Sequence, residues 1–286
     1  MTARIAILTP DPADEGYRTR WREVLADYAG ALARAGLETE GRSWVDPAGF
    51  EGFDLVLALL PWGYHRAGAQ WRDTVTDWEA RGLRLQNPAS VLRWNADKLY
   101  LGRLAARGAP VVPTRYVDRI DEVALREAAA AFGSTTLIAK PQVSALAWRT
   151  IRWSPGGSLE GGPDGPAIIQ PFIPAILDEG EISLIYFGGA FSHAIRKRPK
   201  AGDFRVQPEY QSSITPHTPA ADERAAAEAV LAAVEEPLLY ARVDLIRGPD
   251  GAFLLMELEL VEPDLYLEHD PGHGDAFAAT VARAAR

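Results

Sequence analysis

The sequence predicts a chain of mixed α/β and α+β architecture, in which a parallel, doubly wound sheet precedes antiparallel hairpins. Strand and helix patterns alternate over roughly the first ninety residues, which is typical of a parallel sheet covered by helices. Two hairpin signals follow in the second half, with turns at residues 188–189 and 248–251. The 286 residues are enough for two or three domains with their own cores.

The first elements are defined by the spacing of their apolar residues. Residues 3–8 form a short apolar strand, and the stretch from Arg18 to residue 35 has helical spacing. We predict a second strand near residues 43–45, a third over 53–60, and a helix over 68–81. These units predict the parallel sheet.

Aromatic residues follow the third of these strands. Ligands of doubly wound sheets bind beyond the carboxyl ends of the strands, where Trp62 and Tyr64 stand. They are candidates for the wall of a substrate pocket, although aromatic residues that cap a core give the same pattern. The sequence contains no GxxxxGK[ST] phosphate loop and no convincing GxGxxG fingerprint. A bound nucleotide would need another type of site.

The middle of the chain carries two lysines of interest. A helix is predicted to begin at Asn95 or Asp97 and to run through Lys98 to Ala106, and a strand over 135–140 ends in Lys140. The other elements predicted here are extended residues at 111–112 and 116–117, a helix over 121–132, a Gly- and Pro-rich flexible loop over 154–166, and a strand over 167–170.

The last part of the chain reads as two hairpins and two helices. Within the first hairpin, over 181–198, strand alternation places Arg196 and Arg198 on one face. The remaining predictions are an irregular stretch over 199–216, a helix over 220–234, a hairpin over 242–260 and a helix over 275–285.

Three carboxylates of the last hairpin fall on one face by strand alternation: Asp244, Glu257 and Glu259. Asp244 lies opposite or diagonal to Glu257, so a divalent cation can bridge them. Mg²⁺ prefers oxygen ligands and commonly uses one or two carboxylates together with substrate phosphates. The pattern thus indicates a magnesium and nucleotide-phosphate site, although a solvated acidic face gives the same alternation.

Composition narrows the functional class. The formal charge is −9, which argues against nucleic-acid or membrane-surface partners, and no apolar run approaches the roughly 18 residues of a membrane span. We therefore expect a cytoplasmic protein. The absence of cysteine excludes disulfides and thiolate chemistry. Among the five histidines only His269 and His273 have i, i+4 spacing, and the intervening Pro271 and Gly272 break the helix that a metal site of this type needs.

The order of these parts resembles that of the ATP-grasp ligases. The resemblance is closest to the prokaryotic glutathione-synthetase branch, in the group that includes the cycloserine-forming cyclo-ligase. The segments that carry it are WNADKLYL, KPQVSA, QPFIP, HAIRKRP, DFRVQ and LLMELELVEP. It implies a Rossmann-like N-terminal domain over 1–95, a small lid over 96–173 and a C-terminal α+β domain over 174–286.

The resemblance also implies roles for individual residues. Lys98 and Lys140 would contact the phosphates of ATP, and Arg198 and Arg205 the γ-phosphate or the reacting carboxylate. The other implied sites are Ser144 of the covering loop, Gln170, Phe172 and Ile173 for the adenine, Glu181 for the ribose, and Asp244, Glu257 and Glu259 for Mg²⁺ or Mn²⁺. Three departures are visible. Glu259 stands where the family usually has Asn, residues 142–148 of the covering loop contain no glycine, and the first domain offers no diagnostic motif for the acceptor pocket.

The function implied is an ATP-dependent carboxylate–amine ligase that forms an amide through an acyl phosphate, on small amino-acid-like substrates. Its partners would be a small carboxylate and a small amine. A cyclising reaction within one molecule is an alternative, and the glycine-free loop leaves open a protein that binds ATP without turnover. The oligomeric state, a homo-oligomer included, is not determined by the sequence.

Overall fold

The computed structural model describes residues 2–17, 20–46 and 48–286, and its strands form three sheets. The first sheet belongs to a unit made of β1 (Arg4–Thr9), α1 (Arg20–Arg34), β2 (Glu38–Ser43), β3 (Leu55–Leu57), α2 (Gly68–Ala80) and β4 (Leu85–Gln86). All its strands are parallel, in the order β2-β1-β3-β4. Ile5 and Ile7 pack on the side of α1, whereas Ala6 and Leu8 pack on the side of α2. The predicted doubly wound sheet is confirmed.

The position of β2 differs from the prediction of a strand at residues 43–45. β2 runs beside β1 from Glu38 to Ser43 and has the polar sequence ETEGRS. An edge strand keeps one side free, so it needs no apolar alternation, and its backbone pairing alone determines its position. The predicted helix start at Arg18 lies outside the described residues.

The second sheet is antiparallel and small. Its region contains α3 (Ala89–Asn95), α4 (Tyr100–Ala106), β5 (Arg115–Val117), α5 (Glu122–Phe132), β6 (Leu137–Pro141), β7 (Ile151–Trp153) and β8 (Ala167–Pro171). The strand order is β5-β8-β6-β7. Asp121 caps α5 by accepting a 2.8 Å hydrogen bond from the Ala124 amide, and Gly133 ends it in the left-handed conformation.

The third sheet is antiparallel and has five strands. Its region contains α6 (Ala175–Asp178), β9 (Glu181–Phe187), β10 (Ala190–Arg198), β11 (Ser213–His217), α7 (Ala221–Ala232), β12 (Tyr240–Arg247), β13 (Phe253–Glu259) and α8 (Asp275–Ala284). The strand order is β11-β10-β9-β12-β13. Strand β11 lies in the stretch 199–216 that was predicted to be irregular, and it is again an edge strand, paired only with β10.

The prediction of a helix that begins at Asn95 or Asp97 is wrong. Asn95 is the last residue of α3, and Lys98 lies in the turn that separates α3 from α4. The Asn95 side chain is buried, donates to the Leu258 carbonyl at 2.8 Å and accepts from the Leu260 and Val261 amides. Tertiary hydrogen bonds to the end of β13 therefore determine how the helix ends.

We expect Asn95→Ala to lower the free energy of unfolding by about 2–4 kcal/mol, because it leaves two amides and one carbonyl in the interior without a partner. Chemical denaturation would measure the change. Arg103→Ala on the exposed side of α4 is the control and should stay within about 0.5 kcal/mol of the unsubstituted protein. Equal stability of the two variants would contradict this account of the turn.

The acidic hairpin has the register that sets Asp244 directly opposite Glu257, with Arg242 opposite Glu259. A bulge follows, since Leu245 pairs with Leu255 and Met256 is the additional residue. The bulge changes the predicted faces of β13. Leu255 packs in the core although strict alternation placed it beside the carboxylates, and Met256 faces the side of Ile246. Among the described residues, no helix combines the length and apolarity required to cross a bilayer.

Candidate active site

A cavity of about 450 Å³ lies between the three sheets. The predicted site residues that line it are Trp62, Tyr64, Lys98, Lys140, Ser144, Gln170, Phe172, Ile173, Glu181, Arg205, Asp244, Glu257 and Glu259. They come from all three sheet regions, so the chain brings them together only when it is folded.

Arg198 is the exception. It is the last residue of β10, it is exposed, and it does not line the cavity. Its neighbour Lys197 is buried and lines the cavity instead, with its Nζ 2.5 Å from Glu181 and 3.6 Å from Asp244. Adjacent strand residues point to opposite faces, so Lys197 and not Arg198 reaches the cavity.

We expect Lys197→Met to lower the free energy of unfolding by about 3–5 kcal/mol, because Glu181 loses its buried counter-charge and Asp244 loses one of two. Arg198→Met is the matched control and should change stability by less than about 0.5 kcal/mol. Urea denaturation of both variants gives the comparison. A larger loss of unfolding free energy for the Arg198 variant would show that Arg198, and not Lys197, faces the interior.

Lys98 and Lys140 enter the cavity from different elements and have different surroundings. Lys98 is buried, lies 2.9 Å from Glu257 and donates to the Ser144 carbonyl at 2.7 Å. The side chain of Lys140 makes no hydrogen bond or ion pair within the described part of the chain. Burial lowers the pKa of Lys140, although Glu257 acts in the opposite direction. A ligand with negative charge would supply the partner that Lys140 lacks.

The three carboxylates of the hairpin are balanced by protein cations. Arg242 binds Asp244 through Nε at 3.0 Å and Nη2 at 2.9 Å, and it also contacts Glu259. Asp244 further accepts a 2.6 Å hydrogen bond from Ser183. In the described ranges no three acidic or histidine side chains form a ready metal cluster. The acidic face is therefore an ion-pair network rather than three unpaired charges.

The pKa values of the trio differ because their neighbours differ. Burial would raise the pKa of Asp244, but Arg242 and Lys197 hold it at about 2. Burial acts likewise on Glu257, and Lys98 with Lys140 lowers its pKa to about 2. Burial and the nearby carboxylates raise the pKa of Glu259 to about 8 against the effect of Arg242. The site thus holds two firmly ionised carboxylates and a third that resists ionisation.

The covering loop lines the cavity although it contains no glycine. Ser144, Ala145, Leu146, Ala147 and Thr150 all border the free volume. The backbone reaches this shape with Leu146 at φ 53° and Ala147 at φ 55°, in the left-handed region that normally favours glycine. The lack of glycine therefore does not keep this loop away from the cavity.

One end of the cavity is apolar. Phe172 and Ile173 follow β8 and belong to a cluster with Val206, Ile246 and Met256. All five line the cavity. The buried Gln170 side chain donates to the Thr114 hydroxyl at 2.9 Å, and the Phe172 amide donates to the Thr136 carbonyl at 2.9 Å. This end suits a flat apolar ring.

The opposite end carries aromatic and charged groups of the first unit. Tyr64 is buried, and the half-buried Trp62 has its ring centroid 5.7 Å from that of Tyr17. Nearby, Arg20 of α1 binds Glu209 at 2.7 Å and Asp264 at 3.2 Å.

Arg205, a predicted catalytic residue, is held within its own loop. Its guanidinium lies 2.7 Å from Asp203 and stacks 3.6 Å from the ring centre of Tyr210. The hydrogen bond that the Arg205 side chain donates to the Asp203 carboxylate is the main cause that lowers the pKa of Asp203 to about 2. Arg205 borders the cavity, but it already has a counter-charge.

Sequence reasoning missed several lining residues, namely Arg20, Lys197, Glu262, Asp264 and Tyr266. Only alternation within β10 could have indicated Lys197. The others lie in a helix or in loops with no periodic signal, so only the folded chain brings them to the site.

The N-terminal region matches a family model described as the D-cycloserine synthetase DcsG N-terminal domain, over residues 5–87. Over 282 residues the chain is 29% identical to the cycloserine biosynthesis protein DcsG of Streptomyces lavendulae, covering 88% of this chain and 90% of that protein.

Solved structures give the same picture. The crystal structure of D-cycloserine synthetase DcsG is similar with a TM-score of 0.84 at 28% identity, over 99% of this chain and 100% of that one. D-alanine–D-alanine ligase from Bacillus anthracis in complex with ATP has a TM-score of 0.70 at 15% identity, over 100% and 97% of the two chains. The second likeness shows the fold alone, and both agree on the ATP-grasp architecture.

Proposed function

Because this chain is a homologue of D-cycloserine synthetase and an ATP-dependent ligase of the ATP-grasp fold, we propose that it activates a small carboxylic acid as an acyl phosphate. A nitrogen nucleophile then takes the acyl group, so that the net reaction forms an amide. The observation that carries the proposal is the cavity itself, which joins an apolar end to a set of buried lysines and arginines.

The nucleotide would bind with its adenine at the apolar end. There the Ile173 amide makes no hydrogen bond among the described residues, whereas the Phe172 amide is already used. A free amide beside an apolar wall suits an adenine edge, so we assign the base to Phe172 and Ile173. Lys140, which makes no ion pair with the described residues, and Lys98 would then hold the phosphates.

The two chemical steps need positioning more than covalent help. A carboxylate oxygen of the substrate attacks the γ-phosphorus, the bond from that phosphorus to the bridging oxygen breaks, and ADP leaves. The nitrogen next attacks the acyl carbon, phosphate leaves with the bonding electrons, and the nitrogen loses a proton. Arg242 and Lys197 line this region and would reduce the repulsion between the two anions.

A divalent metal fits the donor chemistry of the hairpin. Glu257 and Glu259 are partly exposed to the cavity, and their hard oxygen atoms are the type that Mg²⁺ selects. Asp244 is committed to Arg242 and Ser183, so we assign it a supporting position behind them. Bound there, Mg²⁺ or Mn²⁺ would neutralise charge on the phosphates.

Ring closure within one substrate molecule is the second candidate. It is favoured by the similarity to D-cycloserine synthetase, which covers nearly the whole chain at 28% identity. The cavity of about 450 Å³ would then hold ATP and one small molecule rather than two.

Product mass distinguishes the two reactions. Purified protein with ATP, Mg²⁺ and a panel of small amino acids and amines would be assayed for ADP and analysed by mass spectrometry. A product equal to two substrates less one water supports intermolecular ligation, whereas loss of a small molecule from one substrate supports ring closure. Absence of ADP release with every acid tested would contradict the proposed function.

A further inference from the structure

Glu262 differs from the other carboxylates that line the cavity. The seven acidic residues of the lining are Glu181, Glu209, Asp244, Glu257, Glu259, Glu262 and Asp264. Six of them have a lysine or arginine nitrogen within ion-pair distance. Glu262 has no ion pair and no side-chain hydrogen bond within the described part of the protein.

The backbone holds Glu262 firmly at this position. Its amide donates to the Ala58 carbonyl at 2.9 Å, and the preceding Val261 amide donates to Asn95 at 3.1 Å. Glu262 itself has φ 53°, in the left-handed region, which residues other than glycine adopt only where surrounding contacts enforce it. The backbone that carries the unpaired carboxylate is therefore fixed where the first and third sheets meet.

The surroundings of Glu262 suit a small cationic group. Tyr64 and Tyr17 both lie close enough to Glu262 for its charge to raise their pKa values, after the larger effect of burial. Trp62 packs against Tyr17. Aromatic faces and a carboxylate together attract ammonium groups, through the ring quadrupole and through direct charge.

The electrostatics point in the same direction. Burial raises the pKa of Glu262 well above its usual value, and Glu259 adds to this effect, whereas Lys98 and Arg242 oppose it without contacting the carboxylate. A half-buried carboxylate with no partner is unfavourable, and a ligand that brings a positive charge would relieve it.

We propose that Glu262, together with the rings of Tyr17, Trp62 and Tyr64, binds the protonated amino group of the substrate. This inference rests on the proposed function and makes it more specific, because it names the residue that distinguishes an acid with a free ammonium group from a simple carboxylic acid. Glu262 is then a specificity-determining residue that selects zwitterions, with Arg242 and Lys197 on the side of the reacting carboxylate.

The test compares acids that differ only in the amino group. ADP release would be measured with D- and L-alanine against propionate and lactate, and with D- and L-serine against glycerate, for the unsubstituted protein and for Glu262→Gln. We expect KM for the preferred amino acid to rise roughly 10- to 100-fold in the variant, with its preference over the deaminated acid largely lost. The affinity for ATP, measured by calorimetry, should not change.

Control variants keep the outcome decisive. Glu160 lies on the exposed loop over 154–166, and Glu160→Gln should leave the KM values and the preference for amino acids unchanged. Glu262→Asp retains the charge and should keep part of the preference for amino acids, and thermal unfolding of each variant reports whether it is folded. Undiminished preference for amino acids in folded Glu262→Gln would overturn the ammonium site alone. Failure of every acid to stimulate the unsubstituted protein would instead overturn the proposed function, and the inference with it.

Discussion

Replacing Lys140 with alanine is expected to weaken the binding of ATP roughly 10- to 100-fold. Lys140 lines the cavity, and its ammonium makes no ion pair or hydrogen bond with the described residues, so it is free to contact a phosphate. Loss of one charge-assisted hydrogen bond costs about 1.5–3 kcal/mol, which corresponds to that range of affinity. Calorimetry with a non-hydrolysable ATP analogue would measure the dissociation constant directly.

Two comparisons make the Lys140 result specific. Lys200→Ala removes an exposed lysine that hydrogen-bonds Gln211 at 2.7 Å outside the cavity, and its affinity for the analogue should match the unsubstituted protein. Adenosine, which lacks phosphates, should bind both variants and the unsubstituted protein equally. An unchanged affinity of Lys140→Ala for the analogue would remove this lysine from the phosphate site.

Replacing Glu257 with glutamine is expected to reduce turnover by about 10²- to 10³-fold. Glu257 is firmly ionised between Lys98 and Lys140 and faces the cavity, so it is the carboxylate best prepared to hold a divalent cation beside the phosphates. Metal ions contribute several kcal/mol of charge stabilisation to phosphoryl transfer. ADP release as a function of Mg²⁺ concentration should also shift to higher Mg²⁺.

Glu259→Gln is the matched comparison for Glu257→Gln. Burial and the neighbouring carboxylates raise the pKa of Glu259 to about 8, so a neutral side chain changes the charge of the site less here than at Glu257, and Arg242 keeps Asp244 as its partner. We expect this variant to retain most of its turnover. Equal losses for both variants, with both still folded in thermal unfolding, would show that the two carboxylates do not have different roles.

Asp244 is unsuited to the same experiment. It is buried against Arg242, Lys197 and Ser183, so its removal would leave two interior cations short of negative charge. The sequence analysis grouped Asp244 with the metal ligands Glu257 and Glu259. The contacts indicate that stability and activity would be lost together.

Much of the fold is readable from local pattern. The strand Arg4–Thr9, the helix Gly68–Ala80 and both hairpins occur where apolar periodicity and Gly-containing turns predicted them. Polar edge strands were misplaced or missed, because Glu38–Ser43 and Ser213–His217 are defined by backbone pairing with a neighbour and not by apolar side chains.

The sequence also predicted part of the site, because some of its residues are brought together by local pairing. Asp244 and Glu257 occupy facing positions of one hairpin, and five residues connect their strands, so sequence spacing alone brings them together. Sequence reasoning named Arg198 rather than Lys197 for the cavity. Which residues of β10 face the cavity depends on the pairing of β10 with β9, and that register shifts between Phe191 and His193. A shift of one residue exchanges the two faces of a strand.

By itself, the sequence determined the order of the secondary-structure elements, the acidic hairpin and the class of chemistry that such a hairpin supports. Only the tertiary structure decided which charges are balanced within the protein and which remain for a ligand. Lys140 and Glu262 are ordinary charged residues in the sequence. They become distinctive because, within the part of the chain that the structure describes, every other charged group of the cavity lining has an ion-pair partner. Ion pairing depends on distances between residues far apart in the chain, which local periodicity does not contain.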